Sequence, residues 1–286
     1  MPYRTLQSHS LVLPPDTASY HSLPESRGPL AHFYAANGFP VAAYEPFLTL
    51  LAPDFELLSL DNRALWPGRR LPVAGQRCQQ YAQDLVAFLQ HTAPCPVIGI
   101  GHSMGATTTL MAAIDHPELF RRLILIEPVF QTLSGEWLTR LLPWPVLRRL
   151  QPFKSTLVRA DSWPDIQAVE RDFRAMPMFR RLSDSAVASL AGALTIEEGP
   201  GLRLAYPLVW ERHNYRTLDA IWHRLEECTV PVTILHGRPS LFLNETKLSR
   251  LQKRLPHCQL ISLPDHGHLL PIEAPEAAVS AIVAQM

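Results

Sequence analysis

The segment Gly99-Ile100-Gly101-His102-Ser103-Met104-Gly105 places Gly-x-Ser-x-Gly directly after the apolar run Pro96-Val97-Ile98-Gly99-Ile100. That run reads as a short buried strand, and Met104 to His116 reads as the helix that follows it. A serine on such a strand-to-helix turn is held in a strained, exposed position, and Gly101 and Gly105 leave room for the backbone to double back. The Ser103 hydroxyl would then stand clear of the sheet, and the Met104 N–H at the helix start would point toward developing negative charge. The chemistry implied is nucleophilic attack by serine on a carbonyl. A serine hydroxyl is a poor nucleophile at neutral pH, so a base must lie beside it.

The elements that would position these groups follow from apolar patterning. Leu6 to Leu13 reads as a first strand, Ala31 to Ala35 as a buried one and Phe55 to Leu60 as another, with a helix from about Cys78 to Leu89. Leu123-Ile124-Leu125-Ile126, Val232-Thr233-Ile234-Leu235 and Leu260-Ile261-Ser262-Leu263 complete the strands. Short apolar strands alternating with helical patterns predict a mostly parallel sheet covered on both faces. Between Phe130 and about Thr229 the alternation stops, and Pro143, Pro145, Pro152, Pro164, Pro177, Pro200 and Pro207 break a helical pattern. This predicts a helical cap, residues 130–229, inserted between core segments 1–129 and 230–286. The cap would cover the strand ends where α/β sheets bind ligands.

Three further motifs carry a resemblance. His32-Phe33-Tyr34-Ala35-Ala36-Asn37-Gly38-Phe39-Pro40 is similar to a strand followed by a His-Gly-x turn. Leu60-Asp61-Asn62-Arg63-Ala64 is similar to an Asp-x-Arg-Gly turn, and Asp265-His266-Gly267-His268 through Glu273-Ala274-Pro275-Glu276 to a histidine loop. With the serine turn they stand in the order of the α/β-hydrolase fold superfamily, which the chain resembles along most of its length. The resemblance implies a serine esterase or lipase-like member with an α/β-hydrolase fold and a helical cap.

It also implies roles. The base matches His268, after a glycine and ahead of an apolar stretch ending in Glu-x-Pro, with His266 as runner-up. The family usually carries an aspartate three positions past His236-Gly237, but Ser240 stands there. Some members instead carry the acid after the strand that follows the nucleophile helix, and Glu127 occupies that place. An unpaired charge at the end of an apolar strand is costly, so Glu127 must find partners: His268, or an arginine of the cap. Glu245 and Asp265 are the other acids in reach. The oxyanion donors would be the amides of Met104 and Phe39, with Asn37 where many relatives have histidine and Gly38 turning the backbone sharply. Asn37, Gly38 and His102 are placed among the substrate contacts, although His102, like His21, His116 and His213, also has an ordinary packing explanation. Arg212-His213-Asn214-Tyr215 could line the pocket or form a surface turn.

The reaction so implied is hydrolysis of carboxylic esters of small to medium apolar substrates through an acyl-enzyme, with no metal or organic cofactor. Thioester, lactone, amide or carbon–carbon cleavage would use the same groups, and a non-catalytic binding protein on this fold is the rival from another class. A serine nucleophile argues against epoxide hydrolase and haloalkane dehalogenase chemistry. Lysine plus arginine equal aspartate plus glutamate at 26 each, so no global field favours nucleic acid. The start MPYRTLQSHS shows no secretory pattern, and four scattered cysteines (Cys78, Cys95, Cys228, Cys258) read as buried thiols of a cytoplasmic protein. From Trp137 to Ala160 the cap holds Arg140, Arg148, Arg149, Lys154 and Arg159 with no acid, interleaved with Trp137, Leu138, Leu141, Trp144 and Leu150. Such a stretch fits an anionic amphiphile or a membrane surface. The preferred reading is an amphipathic cap helix, because residues 131–229 hold 13 basic and 12 acidic residues that can pair.

Overall fold

The computed structural model describes residues 6–24, 26–68, 71–73, 75–240 and 242–286. Met1–Thr5, on which part of the leader expectation rests, lie outside the described residues. Eleven strands and twelve α-helices follow in chain order, among the described residues. The first half comprises β1 (Gln7–Leu13), β2 (Asp16–Ser22), β3 (Leu30–Tyr34), α1 (Glu45–Leu51), β4 (Glu56–Leu60), α2 (Gln79–Thr92), β5 (Val97–His102), α3 (Met104–Asp115) and β6 (Phe120–Ile126). Next come α4 (Leu133–Leu141), α5 (Trp144–Leu147), α6 (Phe153–Val158), β7 (Ser162–Trp163), α7 (Ile166–Ala175), α8 (Asp184–Leu194), β8 (Thr195–Glu198), β9 (Gly201–Leu204) and α9 (Leu208–Arg216). The chain closes with β10 (Val232–Arg238), α10 (Glu245–Arg254), β11 (Gln259–Pro264), α11 (Leu270–Glu273) and α12 (Pro275–Val283).

The eight-stranded sheet runs β1-β2-β4-β3-β5-β6-β10-β11. From β4 to β11 every pairing is parallel, whereas β1 and β2 form an antiparallel edge. Every residue of β5 is buried, as a strand covered on both faces requires. One face packs against α2 and α3 through Leu85, Phe88, Leu89 and Leu110. The other packs against α1 and α12 through Phe47, Leu51, Ala278 and Ile282. The parallel register aligns the carboxyl ends of β3, β5, β6, β10 and β11 along one edge of the sheet.

The chain between β6 and β10 departs from a purely helical insertion. It carries six helices and a three-stranded antiparallel sheet, β7-β9-β8. Its strands are two to four residues long, too short for alternation to show in sequence. The cysteines also differ from the expectation of buried thiols. All four are unpaired, but only Cys78 is buried and Cys95 is exposed, in the turn between α2 and β5 that Pro94 and Pro96 hold at the surface. Among the described residues no helix is long and apolar enough to cross a membrane.

Candidate active site

Ser103 is the hinge between β5 and α3, with φ of 55°, a left-handed conformation that a serine rarely adopts. Close packing forces this turn. A Cβ on Gly105 would stand 2.2 Å from the Tyr34 carbonyl oxygen, and one on Gly101 would meet the Ala106 backbone at 2.6 Å. The helix therefore begins directly against β3 and β5, and Ser103, expected to be exposed, is buried at the turn between them with 8% of its surface accessible. Among the described residues only two other non-glycine residues have positive φ: Glu127 at 48° and Asp265 at 65°. Each follows a sheet strand, β6 and β11, so all three strained backbones sit at the same edge of the sheet. Strain concentrated in this way marks a place where geometry outweighs local comfort.

The side chains converge there. His268 Nε2 lies 3.0 Å from Ser103 Oγ, and His268 Nδ1 lies 3.1 Å from Glu127 Oε2. Glu127 is fully buried and accepts two more hydrogen bonds, from the Gly237 amide at 2.7 Å and the Ser240 hydroxyl at 2.8 Å. Accepting from donors on both oxygens suits the carboxylate, whose burial would otherwise cost several kcal/mol. An ionised Glu127 sets the proton on His268 Nδ1, which leaves Nε2 free to accept the Ser103 hydroxyl proton. Ser240, which cannot itself balance an imidazolium, thus serves the displaced acid as a donor. Its own oxygen accepts the Phe242 and Leu243 amides at 3.3 and 3.0 Å, which holds the hydroxyl in place.

The other acids and the other histidine are engaged elsewhere. Glu245 is mostly exposed and pairs with Arg238 at 2.7 Å, while Asp265 is exposed and its backbone carbonyl, not its carboxylate, accepts Arg181 at 2.8 Å. His266 Nδ1 stands 3.7 Å from Glu273. Glu273 also accepts the Gly267 amide at 3.0 Å, so this carboxylate and Arg181 clamp the loop that presents His268. The Phe242 ring packs edge-on against His268, 4.6 Å between centroids. The contacts from Arg181 and Phe242 were not legible in the sequence, because they join residues remote along the chain.

The oxyanion side is more mixed. Met104 is the first residue of α3, so its amide lies outside the helix's own hydrogen-bond ladder. The Phe39 amide donates to the Ala36 carbonyl at 3.2 Å, closing a turn in which Gly38 has φ of 85°. Asn37 is buried and its side chain is taken up by the segment that follows β9. Its amide donates to the Glu211 carbonyl at 3.1 Å, and its oxygen accepts from Asn214 at 2.8 Å and Tyr206 at 3.2 Å. It ties the turn to α9. Asn37, Gly38 and Phe39 nevertheless line a cavity of about 20 Å³ with Phe173, Met176, Phe179, Leu194 and Leu204, closed at one end by Tyr215 and the Arg159–Glu211 ion pair. Larger clefts of about 590, 390 and 70 Å³ lie elsewhere, and neither they nor this cavity is lined by Ser103, Glu127 or His268.

The His102 side chain is engaged by the protein itself. It has no exposed surface, and both ring nitrogens are bonded. Nε2 must donate to the His268 carbonyl at 2.7 Å, so Nδ1 accepts from the Tyr44 hydroxyl at 2.7 Å, which in turn accepts the Ala36 amide at 3.2 Å. A neutral imidazole thus braces the turn after β3 against the histidine loop after β11. Burial, reinforced by the neighbouring His268 ring, depresses its pKa to about 3, which keeps it neutral. Among the described residues no group of three or more His, Cys, Asp or Glu side chains converges to hold a metal ion.

The fold has counterparts in known proteins. The model of the alpha/beta hydrolase family matches residues 30–282. The chain belongs to the α/β-hydrolase family. It is 22% identical to 2-(acetamidomethylene)succinate hydrolase of Mesorhizobium japonicum over 89% of this chain and 87% of that protein. The crystal structure of E-2-(acetamidomethylene)succinate hydrolase superposes with a TM-score of 0.82 at 21% identity, covering 98% of both chains. The thioesterase domain from the curacin biosynthetic pathway gives a TM-score of 0.76 at 18% identity, over 98% of this chain and 99% of that one. Membership of this family and likeness to hydrolases support a hydrolase acting on small molecules.

Proposed function

We propose that the protein is a serine hydrolase that cleaves carboxylic esters of small to medium apolar substrates through an acyl-enzyme. The observation that carries this reading is the unbroken chain Ser103 Oγ, His268 Nε2, His268 Nδ1, Glu127 Oε2 at the carboxyl edge of the sheet, with steps of 3.0 and 3.1 Å. His268 takes the Ser103 proton as the oxygen attacks the carbonyl carbon, and Glu127 stabilises the imidazolium. The amides of Met104 and Phe39 receive the oxyanion, the second by turning away from Ala36 as substrate enters. His268 then protonates the departing alkoxide. Water, deprotonated by the same imidazole, attacks the acyl carbon and releases the acid with Ser103 restored.

Residues 130–229 act as the cap, and core segments 1–129 and 230–286 supply the catalytic groups. The apolar side chains Phe173, Phe179, Leu194 and Leu204 beside Phe39 support an apolar acyl group, which must part them on entry because the cavity between them is about 20 Å³. The same groups would open a thioester, a lactone or a carbon–carbon bond, so the test spans bond types. Hydrolysis of p-nitrophenyl esters from acetyl to palmitoyl is compared with thioester and lactone panels, using the native chain and Ser103→Ala. Ester turnover that falls by about 10⁴ or more in the variant supports the proposal. Turnover confined to thioesters or lactones replaces the ester assignment. No turnover on any panel, with no labelling by a fluorophosphonate, overturns the enzyme reading in favour of a binding protein.

A further inference from the structure

Helix α4 is amphipathic and faces the wrong way for a soluble monomer. Leu133, Trp137 and Leu141 recur at four-residue spacing with Leu138 beside them, which makes one apolar stripe. Their exposures are 48, 54, 72 and 54% for Leu133, Trp137, Leu141 and Leu138, and no residue of α4 is buried. The polar side holds the helix to the body. Glu136 pairs with Arg77 and accepts the Ala220 amide at 2.9 Å, and the Gln131–Ala220 bridge fixes the entry to the helix. The apolar stripe is therefore turned outward by specific bonds on the opposite side. The exposure continues into α5 and α6 through Trp144, Val146, Leu150, Leu157 and Val158, so this stretch holds nine of the sixteen exposed large apolar side chains among the described residues.

Its charge is one-sided. Arg148, Arg149 and Lys154 are exposed, the Arg140 guanidinium lies 5.3 Å from the Trp137 ring centre, and no acid occurs from Trp137 to Ala160 although the whole chain is neutral. We infer that the α4–α6 face docks on the surface of an anionic lipid bilayer, with tryptophan, leucine and valine at the headgroup boundary and arginine and lysine at the phosphates. Exposed tryptophan and leucine interleaved with basic side chains suit that interface, where apolar burial and attraction to anionic lipid act together. A symmetric pairing of two copies would set Arg148, Arg149 and Lys154 against like charges, and the acid of α4, Glu136, is already paired with Arg77 and Arg140. The inference does not rest on the hydrolase reading, and Ser103→Ala protein binds in the same way if it holds.

The test is co-sedimentation of the full chain with vesicles of phosphatidylcholine alone and of phosphatidylcholine with about 30% phosphatidylserine. Binding to the anionic vesicles is expected to exceed binding to the neutral ones by about tenfold and to fall in ~0.5 M salt. Trp137→Ser/Leu141→Ser and Arg148→Glu/Arg149→Glu should each lower it by about tenfold. These side chains are exposed, so unchanged circular dichroism and thermal midpoint certify the fold. Equal binding by native and variant proteins, or no sedimentation with either vesicle, overturns the inference. So does a native dimer in analytical ultracentrifugation that Leu141→Ser dissociates, which would show that a second copy covers the face.

Discussion

Helices α3 and α4 are neighbours in sequence and opposites in surroundings. Eleven of the twelve residues of α3 are buried, and its run Gly105, Ala106 and three threonines is made of small side chains. In α4 no residue is buried, and its apolar residues are large. The difference teaches that an apolar pattern says a helix has something to cover and not what covers it. Around α3 the cover is the sheet, which leaves no slack and transmits strain to Ser103. Around α4 the fixed contacts are polar and lie on the side away from the apolar stripe. The proposed chemistry therefore sits where backbone and side chains are over-determined, and the proposed contact with the surroundings where they are not.

The comparison breaks first at the acid. Glu127→Gln keeps the shape of the buried site but loses the charge that stabilises an imidazolium, and turnover should fall by roughly 10²–10⁴ with the thermal midpoint little changed. Glu245→Gln, in an exposed pair with Arg238, should leave ester turnover within about twofold of native. The reverse result would move the acid to Glu245. The next largest effect is on stability. Gly105→Ala drives a methyl to 2.2 Å from the Tyr34 carbonyl of β3, where only backbone movement can relieve the clash. A loss of about 3 kcal/mol, or roughly 6–12 °C in Tm, is expected by thermal denaturation. An unaltered midpoint would mean that α3 can slide, and that the strain at Ser103 is not imposed by packing.

Legibility in the sequence followed burial. The strands β3, β5, β6 and β10 were readable because parallel strands covered on both faces are continuous apolar runs, and β11, an edge strand with no buried residue, because Leu260-Ile261-Ser262-Leu263 is still mostly apolar. Strand β2 (Asp-Thr-Ala-Ser-Tyr-His-Ser) was not, because a mostly polar strand with only Ala18 buried shows itself only by pairing with β1 and β4. Ser103, His268 and Glu127 each follow a readable strand, so their placement at one edge could be argued from spacing. Ser240 looked like a missing acid because its partner lies 113 residues away. His102 looked like a substrate contact because it adjoins the nucleophile, whereas its partner Tyr44 is 58 residues distant. Local pattern identifies the elements, and long-range partners decide what a polar side chain does.

Buried histidines give an intermediate effect that separates the packed core from the open face. Burial lowers the pKa of both His32 and His102 to about 3. Below the ordinary histidine value near 6.5 the unfolded chain takes up protons that the folded chain refuses. Stability is therefore fully present above about pH 6.5 and is lost as pH falls toward 3, by about 1.4 kcal/mol per pH unit for each histidine. His32→Asn should flatten the decline of denaturant-derived stability between pH 6 and pH 4 by about that slope. An unchanged slope would show that His32 is protonated in the fold. His102→Gln should also lower kcat about tenfold with little change in KM, because it removes the brace between the Ala36 turn and the His268 loop. A larger rise in KM than fall in kcat would return His102 to the substrate pocket.

The smallest effect is the one that tests the open face. Leu141 is 72% exposed, and its loss removes little buried area, so Leu141→Ala should alter stability by less than about 0.5 kcal/mol in a denaturant titration without lipid. The same kind of truncation in α3, Leu110→Ala, removes a fully buried side chain and should cost about 2–5 kcal/mol. A cost at Leu141 approaching that at Leu110 would mean that α4 is covered in solution. The stripe would then be part of the packed protein, and the two helices would differ in partner rather than in kind.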